Sequence, residues 1–258
     1  MTSFPAALSP SSSSSPARGG IAAAAIRRLT ALTPLDDADL RLLDTAADRA
    51  LTYPLRHAFQ TIGRPMADPL LVLQGWAARV RILPDGRRQF MSFYLPGDII
   101  GPAHHEQPIA TATVVALTEC LACPAPTGPA GSGLAQAYAV SEALDEAYLL
   151  GRVVQLGRLN AQERIGDFLL EIYERLSLAG LTVGGSFEMP LTQEMLADAL
   201  GLTPVHVNRM IQQARRDGDL MWKSGRVLLR DPERTARTIG RVSPQVTGTQ
   251  TMAQASAG

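Results

Sequence analysis

The chain has 258 residues, of which 46% are hydrophobic and 19% charged, a composition that predicts a globular protein and excludes disorder along the whole chain. At about 150 residues per domain, this length predicts roughly two domains. Two cysteines are too few for a disulfide scaffold. The longest apolar runs, such as residues 21–26, are far shorter than the roughly 18 residues of a membrane span. Residues 1–15 contain no basic signal-peptide region, so we expect a cytoplasmic protein with no membrane partner.

The net charge is zero, with 24 basic and 24 acidic residues, but the charges are unevenly distributed. Residues 1–133 carry 11 basic and 10 acidic side chains, residues 134–189 carry 4 and 8, and residues 190–258 carry 9 and 6. An acidic middle segment therefore offsets a modestly basic C-terminal part. A net charge of zero, taken alone, would argue against a nucleic-acid partner. The uneven distribution of charge is compatible with one.

The two ends of the chain differ in composition from the rest. Residues 1–20 are rich in Ser, Pro, Ala and Gly, and residues 242–258 have neither charge nor an apolar period, so both are predicted to be disordered tails. A short helix is expected over 21–31 and a second over about 36–48, where carboxylates in the first turn favour the helix dipole.

Residues 51–123 show short β segments separated by Pro, Gly and Asp turns. Strands are predicted over 70–73, 77–83, 89–95, 111–116 and 119–122. Many short strands with turns about every ten residues predict an antiparallel, jelly-roll-like β-roll, which forms the domain 21–133.

Residues 134–158 contain no proline and are long enough for about seven helical turns. Apolar or small residues recur along them at spacings of four and three, which is a heptad seam. The seam residues are Val140, Leu144, Ala147, Gly151 and Val154. Because Leu149, Val153 and Leu156 form a neighbouring stripe, we interpret this segment as the dimerisation helix of a homodimer. An ordinary buried helix is the alternative.

Residues 159–241 predict a winged helix-turn-helix domain. After an amphipathic helix at 161–179, Thr192 caps a helix that Gly201 ends, and Thr203 caps another with Pro204 at its first position. In a helix-turn-helix, the second helix, here at about 203–216, enters the major groove of DNA by its N-terminal part. A helical hairpin that serves only packing is the alternative.

Several polar side chains of this domain are candidates for DNA contact. Arg209 is expected to bind guanine, because its planar guanidinium matches O6 and N7. Thr192 lies at a helix N-terminus, which suits a phosphate. A basic β-hairpin over 220–230, with a turn at Ser224-Gly225, is the expected wing on the DNA backbone. The full candidate set is Thr192, Gln193, Thr203, Val205, His206, Asn208, Arg209, Gln212, Lys223 and Arg226.

Four motifs occur in a fixed order along the chain. They are Leu95-Pro96-Gly97-Asp98 ahead of Gly101, Ala161-Gln162-Glu163-Arg164-Ile165, Leu191-Thr192-Gln193-Glu194, and Leu202-Thr203-Pro204-Val205-His206-Val207-Asn208-Arg209. Because these motifs occur in this order and at this spacing, residues 36–231 resemble the Crp/Fnr family of bacterial transcription regulators.

This resemblance implies an α+β dimer in which a cyclic-nucleotide-binding-like roll senses a signal and a winged helix binds a palindromic operator. The long helix is then both dimer contact and relay, and RNA polymerase is a further partner. By position, Arg209 matches the arginine of the family that contacts guanine, and Thr192 matches its phosphate-binding threonine.

The chain departs from the family pattern at two places. Val205 stands where the best known members carry Glu in the recognition helix, so the DNA consensus sites of those members cannot be assumed for this chain. Members of the family that bind cyclic nucleotides have an Arg-Ser or Arg-Thr pair, whose Arg pairs with the cyclic phosphate. At the corresponding place, residues 108–113 of this chain contain no Arg. A cyclic phosphate buried without its cation is unfavourable, so we expect no cyclic AMP response and leave the effector unknown. A cyclic-nucleotide-, haem- or metal-responsive regulator of the same fold is the alternative.

Two further motifs contain residue types that occur in metal or redox sites. Cys120 and Cys123 lack the additional thiolates of a zinc or iron–sulfur site, so buried, unreactive thiols are expected. His104 and His105 raise the rival hypothesis of a cupin-like metal protein, with His57 as a third imidazole. Adjacent strand residues point apart, so a polar loop is favoured, and neither metal nor cofactor is predicted. No Ser/His/Asp set, phosphate loop or carboxylate pair indicates an enzyme.

Four arginines crowd the predicted hairpin around Asp85-Gly86. They are Arg79, Arg81, Arg87 and Arg88. A solvated surface is the ordinary expectation for such charges, and an anionic effector pocket or a polymerase contact is the alternative.

Overall fold

The computed structural model describes residues 20–101 and 108–247. Of the two predicted tails, residues 1–19 and 248–258 therefore lie outside the described residues. The described chain forms a β-roll with two preceding helices, then a long helix, then a winged helix-turn-helix, which confirms the predicted α+β fold. None of the described helices combines the length and apolarity needed to cross a membrane.

Two helices precede the roll, α1 (Ala23–Leu32) and α2 (Asp37–Ala47). A capping box starts α2, since the Asp36 carboxylate accepts from the backbone N–H groups of Ala38 and Asp39, both at 2.8 Å. Asp39 is buried, and its own carboxylate accepts from the backbone N–H of Leu134 at 3.2 Å. The same carboxylate thus connects α2 to the start of the long helix.

The roll consists of two four-stranded antiparallel sheets, with strand orders β1-β8-β3-β6 and β2-β7-β4-β5. Its strands are β1 (Leu51–Tyr53), β2 (Ala58–Gln60), β3 (Leu70–Gln74), β4 (Ala77–Ile82), β5 (Arg88–Tyr94), β6 (Ile99–Ile100), β7 (Thr113–Ala116) and β8 (Cys120–Pro124). The five predicted strands correspond to β3, β4, β5, β7 and β8. The others have two or three residues, too few to show an alternating pattern.

Two long helices follow, α3 (Gly133–Arg158) and α4 (Ala161–Leu178). Ser132 caps α3, and Asn160 forms a capping box with Glu163 at the start of α4. The side of α3 that faces its own chain carries Leu134, Ala137, Ser141, Leu144, Arg152 and Gln155. Phe168 and Phe93 make an edge-to-face contact with ring centroids 5.3 Å apart, so α4 packs directly against the roll.

The C-terminal elements are β9 (Ser186–Glu188), α5 (Gln193–Leu200), α6 (Pro204–Arg216), β10 (Leu220–Lys223), β11 (Arg226–Leu229) and α7 (Pro232–Ile239). The three strands form an antiparallel sheet in the order β10-β11-β9. Neither β9 nor α7 was predicted. β9 is only three residues long, and α7 buries no residue, so neither leaves a clear apolar period in the sequence.

Candidate nucleic-acid interface

The helix-turn-helix is defined by its caps. The Thr192 hydroxyl accepts from the Met195 backbone N–H at 3.2 Å, and the Thr203 hydroxyl accepts from that of His206 at 3.2 Å. Between the helices, Gly201 takes the left-handed conformation with φ 63°, which glycine adopts without strain. Leu196 and Val207 are buried, so the apolar faces of α5 and α6 pack inward and the opposite face of α6 is left outside.

The exposed face of α6 carries most of the predicted base-contacting residues. Val205, Asn208, Arg209 and Gln212 are all exposed, and their spacing of three and four residues places them on one side of the helix. His206, predicted to point outward, is half-buried. Arg209 has no hydrogen-bond or ion-pair partner among the described residues, so its guanidinium is available to a ligand.

This face extends further than predicted. Arg215 and Arg216 are exposed at the C-terminal end of α6, where Arg216 donates to the Gln213 side chain at 2.6 Å. The spacing of Arg215 and Arg216 from Gln212 follows the same helical period, and that signal was available in the sequence. At the other helix, Thr192 and Gln193 are exposed at the start of α5, as is Thr203 at the start of α6.

The wing is the hairpin of β10 and β11. Ser224 and Gly225 form its turn with φ 51° and 72°, the two positive values that a tight hairpin turn requires. Lys223 is exposed and has no partner among the residues that the structure describes. Arg226 instead forms an exposed ion pair with Glu188 of β9, at 3.1 Å. Sequence reasoning did not identify Glu188, because 38 residues separate the pair along the chain.

The predicted dimer seam divides into two parts on α3. Leu144 is buried within its own chain, and Val140 and Ala147 are half-buried. Gly151 and Val154 are exposed. Leu150, Val153 and Val154 are 62%, 69% and 57% exposed, so the apolar surface of α3 is concentrated in its C-terminal half.

The two cysteines of the roll are free and buried, as predicted. Cys120 packs with Val72 and Ala122, whereas Cys123 packs in the separate cluster that contains Leu71. Burial raises the pKa of each thiol to about 11. Both therefore remain protonated and unreactive at neutral pH.

The histidines offer no metal centre within the described residues. His104 and His105 lie outside those residues. His57 packs between Tyr53 and Phe59, with ring centroids 4.8 and 5.1 Å away, and burial lowers its pKa. Across residues 20–101 and 108–247, no group of three or more His, Cys, Asp or Glu side chains is placed to hold a metal ion.

The four arginines of the β4–β5 hairpin point to different partners. Arg79 donates to the Tyr94 hydroxyl and lies over its ring, 5.5 Å from the centroid. Arg87 pairs with Asp85 in the hairpin turn at 2.7 Å, and Arg81 is exposed. The side chain of the fourth, Arg88, extends away from the roll and pairs with Asp198 of α5. The arginines therefore do not converge on one pocket.

A chain of buried charges joins the roll to α3 and α4. The Asp98 carboxylate, just before β6, lies 2.6 Å from both Arg28 of α1 and Arg175 of α4. Arg175 also pairs with Glu171 at 3.2 Å, and Glu171 pairs with Arg152 of α3 at 2.9 Å. Each of these side chains is at most 6% exposed. Because an unpaired buried charge is costly, these ion pairs constrain how the roll, α3 and α4 pack together.

Asp145 of α3 lies beside this network. Burial and the negative charge of Asp98 raise its pKa from 3.8 to about 6, against the attraction of Arg175, Arg28 and Arg79. Protonation of Asp145 is therefore favoured by its surroundings in the fold. Nothing in its sequence neighbourhood predicted this, because the charges around it come from distant segments.

The two folded parts match known domains. Residues 163–237 match the Crp-like helix-turn-helix domain and residues 60–128 match the cyclic nucleotide-binding domain. The chain is 34% identical over 172 residues to the nitrogen fixation regulation protein FixK of Bradyrhizobium diazoefficiens, covering 63% of this chain and 70% of that protein. It is 32% identical over 156 residues to the transcriptional activator protein FnrL of Cereibacter sphaeroides, covering 57% and 62%.

Solved structures show the same fold. FixK2 from Bradyrhizobium japonicum superposes with a TM-score of 0.64 at 23% identity, covering 77% of this chain and 98% of that one. The c-di-GMP-responsive regulator CLP of Xanthomonas campestris superposes with a TM-score of 0.57 at 16% identity, covering 74% and 99%. The two domain matches, in the expected order, and the identity to FixK show that the chain belongs to the Crp/Fnr family of DNA-binding transcription regulators, which are not enzymes.

Proposed function

We propose that the protein is a homodimer that binds a palindromic operator in double-stranded DNA through α6 and responds to a signal other than cyclic AMP. The exposed face of α6 carries this proposal. Arg209 is exposed without a partner among the described residues, and Asn208 and Gln212 share its face. Together they supply the donors and acceptors that distinguish base pairs in the major groove.

Most of the predicted DNA contacts have a specific role in this proposal. Arg209 binds guanine through O6 and N7, and Asn208 binds a neighbouring base or phosphate. Residues at the two helix starts, Thr192, Gln193 and Thr203, contact phosphates through side chains and backbone N–H groups. Lys223 and Arg226 of the wing contact the backbone, where Arg226 would exchange Glu188 for a phosphate.

The dimer is supported by the surface of α3. Leu150, Val153 and Val154 leave more than half of their surfaces exposed on neighbouring turns, which is unfavourable for a helix that faces water. A second copy packed along this stripe would bury it, with Gly151 allowing close approach of the two backbones. Two copies would also present two α6 helices, which a palindromic site requires.

The lack of a cyclic AMP response is supported by charge. Residues 101–113 contain neither Arg nor Lys, and the nearby Arg79 is engaged with Tyr94. A cyclic phosphate bound there would lack a cation. We expect isothermal titration with cyclic AMP to give no heat of binding at micromolar protein, and a micromolar dissociation constant would overturn this part of the proposal.

Selection of bound fragments from a random DNA pool tests the main proposal. We expect enrichment of a palindrome whose half-sites lie about one helical turn apart, roughly 10–10.5 base pairs. Loss of enrichment with Arg209→Ala, but not with Arg237→Ala on the outer surface of α7, would support α6 as the contact. Enrichment of a sequence without two-fold symmetry would contradict the dimeric arrangement.

The proposal also includes a cytoplasmic location and a contact with RNA polymerase, as expected for a transcription regulator.

A further inference from the structure

The last turn of α5 is held by side chains from other elements. Arg88 of β5 places Nη2 2.8 Å from the Asp198 carboxylate, and the amide Nε2 of Gln89 donates to the Ala199 carbonyl at 3.0 Å. Arg164 of α4 donates to the next carbonyl, that of Leu200, at 3.1 Å. Three consecutive residues of α5 are therefore anchored from outside it, immediately before the turn into α6.

Arg164 also binds the end of the long helix. Its guanidinium donates to the carbonyls of Leu156 and Leu159, both at 2.8 Å. The last carbonyls of a helix lack intrahelical partners and lie at the negative end of its dipole, so a cation stabilises them. A single guanidinium therefore joins the C-terminal ends of α3 and α5.

The contact between β5 of the roll and α5 is supported by a hydrophobic core that both elements share. Phe90, next to Gln89 on β5, is 2% exposed and belongs to the same hydrophobic cluster as Leu196 and Ala199 of α5. Strand β5 pairs with β4, which pairs in turn with β7. A movement within this sheet would therefore reach α5 through packed side chains as well as through Arg88 and Gln89.

We propose that Arg88 and Gln89 are positioning residues that set the orientation of α6 relative to the β-roll, on an α5 that Arg164 holds at the end of α3. This inference rests on the proposed function, in which two α6 helices meet two half-sites at a fixed separation. A small rotation of α6 within each chain would change that separation. Binding to a full palindrome is therefore sensitive to these residues, and binding to one half-site is not.

The first experiment replaces the roll contacts with Arg88→Ala and Gln89→Ala together. Arg87→Ala is the matched control, because Arg87 is the neighbouring residue but pairs with Asp85 inside its own hairpin. Affinity is measured for the selected palindrome and for DNA of equal length with one half-site. We expect the double variant to lose about 3- to 20-fold on the palindrome, and less than about twofold on the half-site.

The control should stay within about twofold of the wild type on both DNAs. A rise in palindrome affinity with half-site binding unchanged would also support a positioning role. An unchanged ratio between the two DNAs would overturn it, as would a parallel loss on both DNAs with a lower melting temperature, which indicates a purely structural role.

A charge exchange provides the second experiment. Arg88→Asp and Asp198→Arg should each lower the ratio of palindrome to half-site affinity, and the combined variant should recover most of it. Absence of recovery would contradict the ion pair as the means of positioning. If the wild type itself does not prefer the palindrome, the proposed function fails. If the wild type prefers it and every variant keeps the preference, this inference alone fails.

Discussion

The charges that join the roll to α3 and α4 are buried and paired, whereas the cations of α6 and the wing are exposed. Arg175 lies between Asp98 and Glu171 and is 3% exposed. Arg209 and Lys223 are exposed and lack partners among the described residues. An unpaired charge inside a protein is costly, so the buried arginine holds the packing of its neighbours. An exposed one stays hydrated and can exchange solvent counterions for a phosphate or a base.

Replacing Arg175 with Ala should give the largest effect on stability. Burial disfavours its charge, but Asp98 and Glu171 raise its pKa above the ordinary value, so it stays charged at any working pH. The variant leaves both carboxylates buried without this partner and removes a hydrogen bond to the Phe93 carbonyl at 2.8 Å. We expect a loss of about 3–5 kcal/mol in the free energy of unfolding, measured by urea titration.

The matched control for Arg175 is Arg237→Ala, since Arg237 forms an exposed pair with Glu233 at 3.6 Å on α7. Its removal should cost less than about 0.5 kcal/mol. A similar cost for both variants would show that burial does not separate the two kinds of arginine.

Replacing Arg209 with Ala should do the reverse, lowering operator affinity without changing stability. The loss of a bidentate guanine contact is worth about 1–3 kcal/mol, or roughly 5- to 150-fold. The free energy of unfolding should stay within about 0.5 kcal/mol of the wild type, because no described partner is lost. Fluorescence anisotropy with the operator, and with a version changed at one base pair, measures both affinity and discrimination. Normal discrimination by the variant would show that another residue contacts the guanine.

Much of the C-terminal domain was predictable from sequence because its signals are local. Thr192, Gly201, Thr203 and Pro204 act within one turn of their own position, and the structure places each where the pattern predicted. Likewise, α3 begins one residue before its predicted start and ends at the predicted residue 158. Local signals of this kind need no knowledge of the tertiary fold.

The contacts between the parts were not predictable, because they join distant residues. Asp98 and Arg175 are 77 positions apart, and Gln89 and Ala199 are 110 apart. Likewise, the heptad seam did not show that Leu144 would be buried in its own chain, since both stripes of α3 are apolar. Which residues of α3 face inward depends on distant segments that pack on it, such as α1, whose Arg28 donates to the Ser141 hydroxyl at 3.0 Å.

The pH dependence of stability in an Asp145 variant provides a test of the buried region. Its pKa is raised to about 6 by burial and by Asp98, so folding favours the protonated form. The wild type therefore loses stability as pH rises from about 4 to about 6, as the carboxylate ionises in the fold. Asp145→Asn removes that loss. We expect the variant to be about 1–2 kcal/mol more stable than the wild type at pH 7, with the difference disappearing near pH 4.

Urea titrations of both proteins at several pH values measure this difference. Asp44→Asn, on the exposed surface of α2, is the control, and as a surface substitution it should change the free energy of unfolding by less than about 0.5 kcal/mol. A difference between wild type and Asp145→Asn that stays constant from pH 4 to pH 7 would mean that ionisation of Asp145 is not its cause.

The smallest effect is expected in the wing, where two exposed cations differ in their partners. Lys223 has none among the described residues, so Lys223→Ala should weaken binding to operator and unrelated DNA alike and lower the slope of affinity against salt by about one. Arg226 must first leave Glu188, which offsets part of its gain from a phosphate, so Arg226→Ala should change the slope less. Anisotropy titrations on both DNAs over a range of salt measure these slopes. A loss confined to the operator would instead place Lys223 on a base, and the wing would then contribute to specificity.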